Sequence, residues 1–498
     1  MSASRADGSG GNSPHMPSPA EARSSSAVPG LAAVAATVLV LALTVSGGLY
    51  DPVGLALVSV TGITALTAAI LARRGRPHSG TRAATAILAV GIGASIVRDL
   101  VVRPGVGLDR AELGLFRPLL GVVAGLLLSY AWRGMPRWAA RARFPALVAL
   151  ATGLGALVLL ASPEPPIDVW IFQQHGSLAL LSGQNPYEVL YPNIYRPGTP
   201  FLAPGLLTPD GRSITANPYM PLTLLVDAPS VFLGDVRWTM LAAAAASAWL
   251  IRALGRGAVA AELAGVLLLV QPLGWTVLEY SWTEPIVLAT LLIVASVVRR
   301  SAERSGHDGL VRDRRWLPPS LAAAVAISSK QYVALLALPF LLVLPTRDRG
   351  RAALVAAAGA ALLVLPFVVT NPAAFVRGVL EFQFRQPFRT DALSWPAAIT
   401  HLGGPRLPSW PAFLLAGGVL WATLGRTVSV AQAILASAST WIVFVAFNKQ
   451  AFANYYWLGV GLLCAAVAAL AAESPSEDPA GPGQTRTGLC RSDSLRRP

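Results

Sequence analysis

The sequence predicts an all-α protein that crosses a membrane many times. Three observations carry this prediction: the 498 residues have a mean hydropathy of +0.56, only 13% of them are charged, and the apolar residues fall in blocks separated by short basic segments. Soluble globular domains have about 25% charged residues, so this chain has too few charges to cover a water-facing surface. Long apolar blocks are typical of membrane-spanning helices, which need about 20 residues each.

Fifteen apolar segments follow one another along the chain, and several are short for a full crossing. The first is too long for the apolar part of a signal peptide, about 7 to 15 residues, and the second follows at once, so we interpret the first as a retained span. The segments are 31–49, 53–72, 83–97, 118–132, 144–161, 218–233, 240–251, 258–275, 285–298, 317–328, 332–344, 352–370, 413–424, 428–447 and 455–472.

The arginines predict the orientation of these spans, because cytoplasmic loops carry an excess of Lys and Arg. Alternate loops are arginine-rich, which puts both termini in the cytoplasm and the long segment 162–217 outside. Four crossings between 217 and Arg299 would leave Arg299 on the wrong side. One segment between 218 and 275 therefore fails to cross, or two merge, and we expect about 14 spans. The arginines used are Arg73, Arg74, Arg76, Arg82, Arg133, Arg137, Arg141, Arg143, Arg299, Arg315, Arg347, Arg349 and Arg351.

This topology divides the chain into five parts and places it in the plasma membrane. Residues 1–28 and 473–498 are predicted to be disordered cytoplasmic tails, because they are rich in small and polar residues without apolar periodicity. Between them lie N-terminal transmembrane helices over 29–161, an extracytoplasmic loop over 162–217, and C-terminal transmembrane helices over 218–472 with an outer loop over 371–411. The net charge of +14 is scattered between apolar blocks, which argues against a nucleic-acid partner.

The segment 162–217 gathers polar and aromatic side chains against the apolar trend. Twelve prolines from Pro163 to Pro229 disfavour long regular helices there. Amides, carboxylates and rings together suit a polyhydroxylated ligand, and the alternative is an ordered outer loop with an aromatic interfacial belt. The candidate residues are Asp168, Gln173, Gln174, His175, Asn185, Tyr187, Glu188, Tyr191, Tyr195 and Arg196.

An aspartate at the start of this segment, Asp168, is followed by ALLSGQNPY and then by NPYMPL, in which Tyr219 precedes the next helix. These motifs resemble the multispanning glycosyltransferases of the GT-C superfamily, and the chain is most similar to the actinobacterial family 87 mannosyltransferases and more distantly to the family 39 type. The resemblance covers roughly residues 163–457 and is strongest in the outer loop. It implies transfer of a sugar from a polyprenyl-phosphate carrier to an acceptor hydroxyl on the outer face.

Two features depart from the resembled pattern. Many relatives have one span before the catalytic loop where five are predicted here, which leaves the exact subfamily open. A Gly-Gln pair before a later helix is replaced by Glu279, Tyr280 and Ser281 ahead of TEP, which puts one donor or acceptor contact in doubt.

Lys330 and Lys449 are the only lysines among 39 basic residues. Each is followed by Gln and lies near aromatic residues, in SSKQY and NKQAFANYYW, and the predicted topology puts neither in a cytoplasmic loop. Ionisable groups at membrane depth are costly and usually functional, and an ammonium suits a phosphate. The resemblance implies that Lys330 holds the lipid phosphate. For Lys449 the alternative is a helix-end residue that reaches back to the interface.

The outer loop 371–411 and a later turn add further charged candidates. Arg385 and Arg389 can grip a phosphate in a bidentate way, and nonspecific adhesion to lipid headgroups is the alternative. Glu284, with Glu279, flanks a turn expected outside and can face the same cavity. Asp227 and Glu262 lie within apolar segments and stay unassigned.

Other catalytic patterns are missing from the sequence. The five histidines are scattered and two cysteines give neither a disulfide framework nor a cysteine metal site. There is no phosphate-cradling Gly-rich motif and no kinase signature, which disfavours a nucleotide-sugar or ATP donor. No cofactor is predicted, although a divalent cation bridging Asp168 and a donor phosphate is compatible with the sequence.

The residues and the resemblance together predict a membrane glycosyltransferase. The resemblance implies that it moves a hexose, with mannose favoured, from a polyprenyl phosphate to a lipid or glycan acceptor of the cell envelope. Asp168 is the predicted base, and Lys330 with Arg385 or Arg389 the predicted phosphate partners. A transporter or lipid flippase is the rival interpretation, for which Asp227 and Glu262 would be the midplane carboxylates. A non-catalytic assembly protein is a third.

Overall fold

The apolar segments fold into helices, as the sequence predicts, and the chain is an all-α protein of polytopic membrane type. The computed structural model describes residues 27–74, 80–105, 107–132, 134–196, 199, 201–303, 314–425 and 428–474. The predicted tails lie outside these residues, apart from their innermost positions. Within the described part, the only sheet has two short strands, β1 (Tyr191–Pro192) and β2 (Ser213–Ile214), which pair antiparallel with Tyr191 opposite Ile214.

Eight helices in the described part are long and apolar enough to cross a membrane. Five come before the outer loop, and the remaining three are distributed through the second half of the chain. They are α1 (Val28–Ser46), α2 (Pro52–Ala72), α3 (Thr81–Val101), α4 (Arg110–Leu128, continued by a 3₁₀ turn to Ala131), α5 (Arg137–Ala161), α11 (Glu284–Glu303), α14 (Thr346–Thr370) and α20 (Ala453–Glu473).

The other apolar helices are shorter, and prolines and glycines lie close to several of their ends. The helices are α7 (Pro221–Val231), α8 (Arg237–Leu254), α9 (Val259–Val270), α12 (Leu317–Ile327), α13 (Val333–Leu341), α18 (Trp410–Thr423) and α19 (Val430–Ala446). The 11 residues of α7 rise only about 16 Å, about half of a hydrocarbon core. Helix α9, with 12 residues, is similarly short. That one segment between 218 and 275 fails to cross, or that two merge, stays a prediction, as does the total of about 14 spans.

The interior of the bundle is formed by α19 and α20, which are buried along almost their whole length. Helix α1 packs against α2, α3 and α20, and α8 packs against α9 and α11. Helices α4 and α14 lie at the periphery and expose large apolar side chains, such as Leu128 and Leu354. A lipid environment fits this arrangement, because the outward faces are as apolar as the interior.

The segment 162–217 is more ordered than its proline content predicts. Between Pro166 and Pro186 it forms α6 (Asp168–Leu181), and the β1–β2 pair follows. Phe172 of α6, Tyr191 and Ile214 form a second apolar core, joined by Phe382 from the other outer loop. That loop contains the short helices α15 (Pro372–Val376), α16 (Phe382–Arg385) and α17 (Trp395–His401), and α10 (Gly274–Glu279) precedes α11. Both predicted outer loops therefore lie at the same end of the bundle.

Two of the arginine-rich helix ends, those of α8 and α11, lie together as well. Arg256, after α8, pairs with Glu303 at the end of α11 at 2.9 Å, and Glu303 also pairs with Arg299. Which end faces the cytoplasm stays the prediction made from these arginines.

Candidate active site

Asp168 is the first residue of α6 and lies against Tyr195. The Tyr195 hydroxyl donates a hydrogen bond to Asp168 Oδ1 at 3.0 Å and accepts one from the Asp168 backbone N–H at 3.3 Å. Burial raises the pKa of Asp168, and the hydrogen bond from Tyr195 opposes this rise. A raised pKa makes the ionised carboxylate a stronger proton acceptor, and the helix N-terminus favours this ionised form.

Arg389 from the other outer loop lies next to this pair. Its guanidinium forms a bidentate pair with Asp391, at 2.8 and 2.6 Å, and lies over the rings of Phe201 and Phe452 at 4.7 and 4.8 Å. Phe201 in turn packs on Tyr195, with 4.8 Å between ring centroids. Asp168 and Arg389 are 221 positions apart in sequence (389 − 168), yet the charge of Arg389 lowers the pKa of Asp168.

Lys330 lies in the turn between α12 and α13, and its ammonium contacts Glu284, the first residue of α11. The Tyr332 hydroxyl donates to the same Glu284 oxygen at 3.1 Å. Three tyrosine rings surround the ammonium, those of Tyr332, Tyr455 and Tyr219, at 5.4, 5.6 and 5.9 Å. Glu284 is fully buried, and its second oxygen has no hydrogen-bond partner among the described residues.

Tyr219 lies between the two charged centres. Burial raises its pKa most, and the charges of Asp168 and Glu284 raise it further, so both carboxylates act on this one hydroxyl. Its backbone is fixed on both sides, because its N–H donates to Asn217 at 3.0 Å and its carbonyl accepts from the Tyr187 hydroxyl at 2.6 Å. Tyr219 also shares the second apolar core with Tyr195, and its ring lies 5.9 Å from the Lys330 ammonium, so Asp168, Arg389, Lys330 and Glu284 border one continuous site.

Arg385 and Lys449 lie at the margin of this site. Arg385 is half-exposed, pairs with Glu381 at 3.0 Å and lies over the backbone of Gly205. Lys449 donates to the carbonyls of Phe384 and Gln386, at 3.1 and 2.6 Å. Burial lowers its pKa. These two bonds hold the backbone on both sides of Arg385 in place. Binding of the donor phosphate by Lys449 stays a prediction.

The amide candidates are engaged in holding the loop together. Gln173 donates to the carbonyl of Ser281 at 2.7 Å and accepts from the Ser281 hydroxyl at 3.1 Å. Gln174 accepts from the backbone N–H of Val236 at 3.0 Å, beyond the end of α7. Asn185 donates to Thr370 at 2.8 Å. These side chains position α6 and its neighbours, and their predicted contact with substrate stays untested.

The remaining loop candidates differ in accessibility. Tyr187 is buried against Phe375, with ring centroids 4.9 Å apart. Glu188 is exposed. His175 is half-buried, and burial lowers its pKa.

Sequence reasoning missed three aromatic residues of the site, Tyr332, Tyr455 and Phe201. The first two are part of the lysine motifs SSKQY and NKQAFANYYW, so the sequence does contain a signal for them. Nothing in the sequence near Phe201 indicates that it would connect Tyr195 with Arg389.

The carboxylates of the rival interpretation lie elsewhere. Glu262 accepts from the Tyr130 hydroxyl at 2.8 Å and from Arg252 Nε at 3.0 Å, near the arginine-rich end of the bundle. Asp227 is fully buried in α7 beside Thr239, and neither of its oxygens makes a hydrogen bond of good geometry within the described chain. Glu279, expected beside Glu284, instead accepts from the backbone N–H of Gly107 at 2.6 Å. Among the described residues, no group of three or more His, Cys, Asp or Glu could hold a metal ion.

No protein-family model matches the chain, and no curated protein matches it. Among solved structures, the chain is similar to ArnT from Cupriavidus metallidurans bound to undecaprenyl phosphate, at 16% sequence identity and a TM-score of 0.41. The match covers 66% of this chain and 60% of that chain, so it spans less than two thirds of the solved protein. Similarity this distant does not assign a reaction.

Proposed function

We propose that the protein is a GT-C-type membrane glycosyltransferase that moves a hexose, with mannose the first sugar to test, from a polyprenyl-phosphate carrier to an acceptor hydroxyl. The observation that carries the proposal is the meeting of one partly buried carboxylate, Asp168, with two cationic groups, Arg389 and Lys330, around Tyr195 and Tyr219. A proton acceptor next to phosphate partners is the arrangement that transfer from a sugar phosphate needs.

In the proposed reaction the acceptor oxygen bonds to the anomeric carbon as the bond from that carbon to the phosphate oxygen breaks. The electron pair of the broken bond leaves with the polyprenyl phosphate, and Asp168 takes the proton of the acceptor hydroxyl. Arg389 and Lys330 stabilise the phosphate that departs, because charge-assisted hydrogen bonds are strongest where water is scarce.

Each phosphate partner already holds a carboxylate, Asp391 on Arg389 and Glu284 on Lys330. The carboxylate oxygens contact these cations in the way that phosphate oxygens would. We therefore expect the donor phosphate to compete with them, and the second oxygen of Glu284 to accept a hydroxyl of the donor sugar or a bound water.

The test is transfer of sugar by the purified protein in lipid nanodiscs, with polyprenyl-phosphate mannose and polyprenyl-phosphate glucose as donors and alkyl glycosides as acceptors. Asp168→Asn is the informative variant, because the amide fits the same space but does not accept the proton. Asp210→Asn is the matched control. Asp210 lies in an exposed turn, where its Oδ1 accepts a hydrogen bond from the Thr208 hydroxyl at 2.5 Å. No transfer by the parent with any polyprenyl-phosphate donor would favour the transporter interpretation, for which buried Asp227 is the remaining candidate.

A further inference from the structure

A second charged cluster lies at the arginine-rich end of the bundle and shares no residue with the candidate active site. It consists of Glu262 at the start of α9, Arg252 at the end of α8, Arg143 near the start of α5, and Tyr130 after α4. Arg252 Nε lies 3.0 Å from one Glu262 oxygen, and the Tyr130 hydroxyl lies 2.8 Å from the other. Four elements thus meet at one buried carboxylate.

The cluster has one positive charge in excess, because two guanidiniums share the single carboxylate of Glu262. Arg143 Nε lies 3.7 Å from Glu262, too far for a hydrogen bond. This nitrogen is buried and makes no hydrogen bond of good geometry with a described residue, while the guanidinium lies over the Tyr130 ring at 3.6 Å, which offers no full negative charge. Arg252 is one-third exposed, with 34% of its side chain accessible. The cluster therefore lacks one anion to balance its charge, and the Arg252 side chain is accessible from the protein surface.

The surroundings indicate where that anion would come from. Arg252 lies over the rings of Phe144 and Trp249, at 5.4 and 5.9 Å, and Trp249 is 41% exposed. Trp138, on the same helix as Arg143, is 75% exposed. Exposed tryptophans mark the depth of lipid headgroups, and basic pockets between helices at that depth bind anionic lipids.

We infer that this cluster, named here the Glu262 cluster, binds the phosphate of an anionic phospholipid, with Arg143 and Arg252 on the phosphate and an acyl chain along Trp249. The inference is independent of the proposed glycosyl transfer, since it uses none of the same residues. A monoanionic phosphodiester would bring the cluster to neutrality.

The test measures how much phosphatidylglycerol, compared with phosphatidylcholine, stabilises the purified full-length protein in detergent, and which lipid stays bound in native mass spectrometry. Arg252→Gln should abolish the preference for phosphatidylglycerol. Arg256→Gln is the matched control, since Arg256 lies four positions away and pairs with an exposed glutamate. Equal losses in both variants, or no loss in Arg252→Gln, would overturn the inference.

Glu262→Gln gives a prediction of opposite sign. Removing the competing carboxylate should raise the affinity for phosphatidylglycerol by about tenfold or more, because a like charge a few ångströms from the phosphate no longer repels it. Glu303→Gln makes the same change of net charge at the same end and should leave the affinity unchanged. A purely structural cluster would give weaker lipid binding in Glu262→Gln, which would refute the lipid site.

Inorganic phosphate and glycerol 3-phosphate serve as soluble probes of the same chemistry. Stabilisation that needs the lipid, and that these ions do not reproduce, supports the inference. Arg252-dependent stabilisation by inorganic phosphate alone, as large as that by phosphatidylglycerol, would assign the cluster to a soluble anion instead.

Discussion

Glu284→Gln should lower the free energy of unfolding, and bound polyprenyl phosphate should restore part of the loss. The substitution keeps the acceptor for the Tyr332 hydroxyl but leaves the Lys330 ammonium, which is only 12% exposed, without its counter-ion. Breaking one partner of a buried ion pair costs about 3–5 kcal/mol. That is a large part of a typical folding free energy of about 5–15 kcal/mol, so the loss is easily measured.

The expected size is bounded by the structure. The three tyrosine rings around Lys330 still face the ammonium in the variant and retain part of its stabilisation, about 0.5–2 kcal/mol for a cation over an aromatic ring. We therefore expect the loss of folding free energy to be about 3 kcal/mol, the lower end of the range for a broken buried ion pair. Lys330→Met with Glu284→Gln should recover most of it, because the double variant leaves no unpaired charge.

Unfolding in mixed detergent micelles, followed by tryptophan fluorescence, gives the free energies of the parent, both single variants and the double variant. Saturating polyprenyl phosphate should stabilise Glu284→Gln more than the parent, because in the variant its phosphate meets no competing carboxylate. Ligand at about 100 times its Kd contributes about 2.7 kcal/mol. A coupling energy near zero between positions 284 and 330 would refute the buried ion pair. Equal stabilisation of parent and variant by polyprenyl phosphate would refute the assignment of Lys330 to the donor phosphate.

Further predictions concern catalysis and topology. Asp168→Asn should lower sugar transfer about a hundredfold to ten-thousandfold with normal expression, while Asp210→Asn transfers at the parent's rate; a fully active Asp168→Asn would remove Asp168 as the base. The rate of sugar transfer should decline as the pH falls through the raised pKa of Asp168, because a protonated Asp168 cannot take the proton from the acceptor hydroxyl. Tyr195→Phe removes the hydrogen bond that lowers this pKa, so the decline should begin at higher pH; an unchanged pH–rate profile would contradict this. With Cys464 and Cys490 replaced, a cysteine at exposed Ser182 should react with an impermeant thiol reagent from outside, and one at Gly350 should not; the reverse pattern would invert the orientation.

The helices and the polar loop could be predicted from the sequence because both depend on local composition. Apolar blocks become helices wherever the backbone has no water to bond, and the polar segment after Ala161 stands out against them. The high proline content of the loop does not predict helix α6, but the prolines are unevenly spaced, and the gap between Pro166 and Pro186 leaves room for four helical turns.

The partners of the charged residues could not be predicted from the sequence. Lys330 pairs with Glu284, 46 positions away, and the rings of Phe201 and Tyr195 connect Arg389 with Asp168. Such pairings depend on how distant helix ends pack, which no periodicity encodes. Likewise, Gln173 resembles a ligand contact in sequence, but its burial and its two bonds to Ser281 place it in the framework.

The double hydrogen bond between Gln173 and Ser281 has a consequence for engineering. Gln173 follows Asp168 by five positions and Ser281 precedes Glu284 by three, so the bond links the segments that carry the two carboxylates. Ser281 also has a positive φ of 56°, a backbone conformation that few other residues adopt in its place. A chimaera that imports the outer loop 162–217 from another protein must therefore import residues 279–284 with it, because either segment alone would meet a mismatched partner and shift the spacing of the two acids.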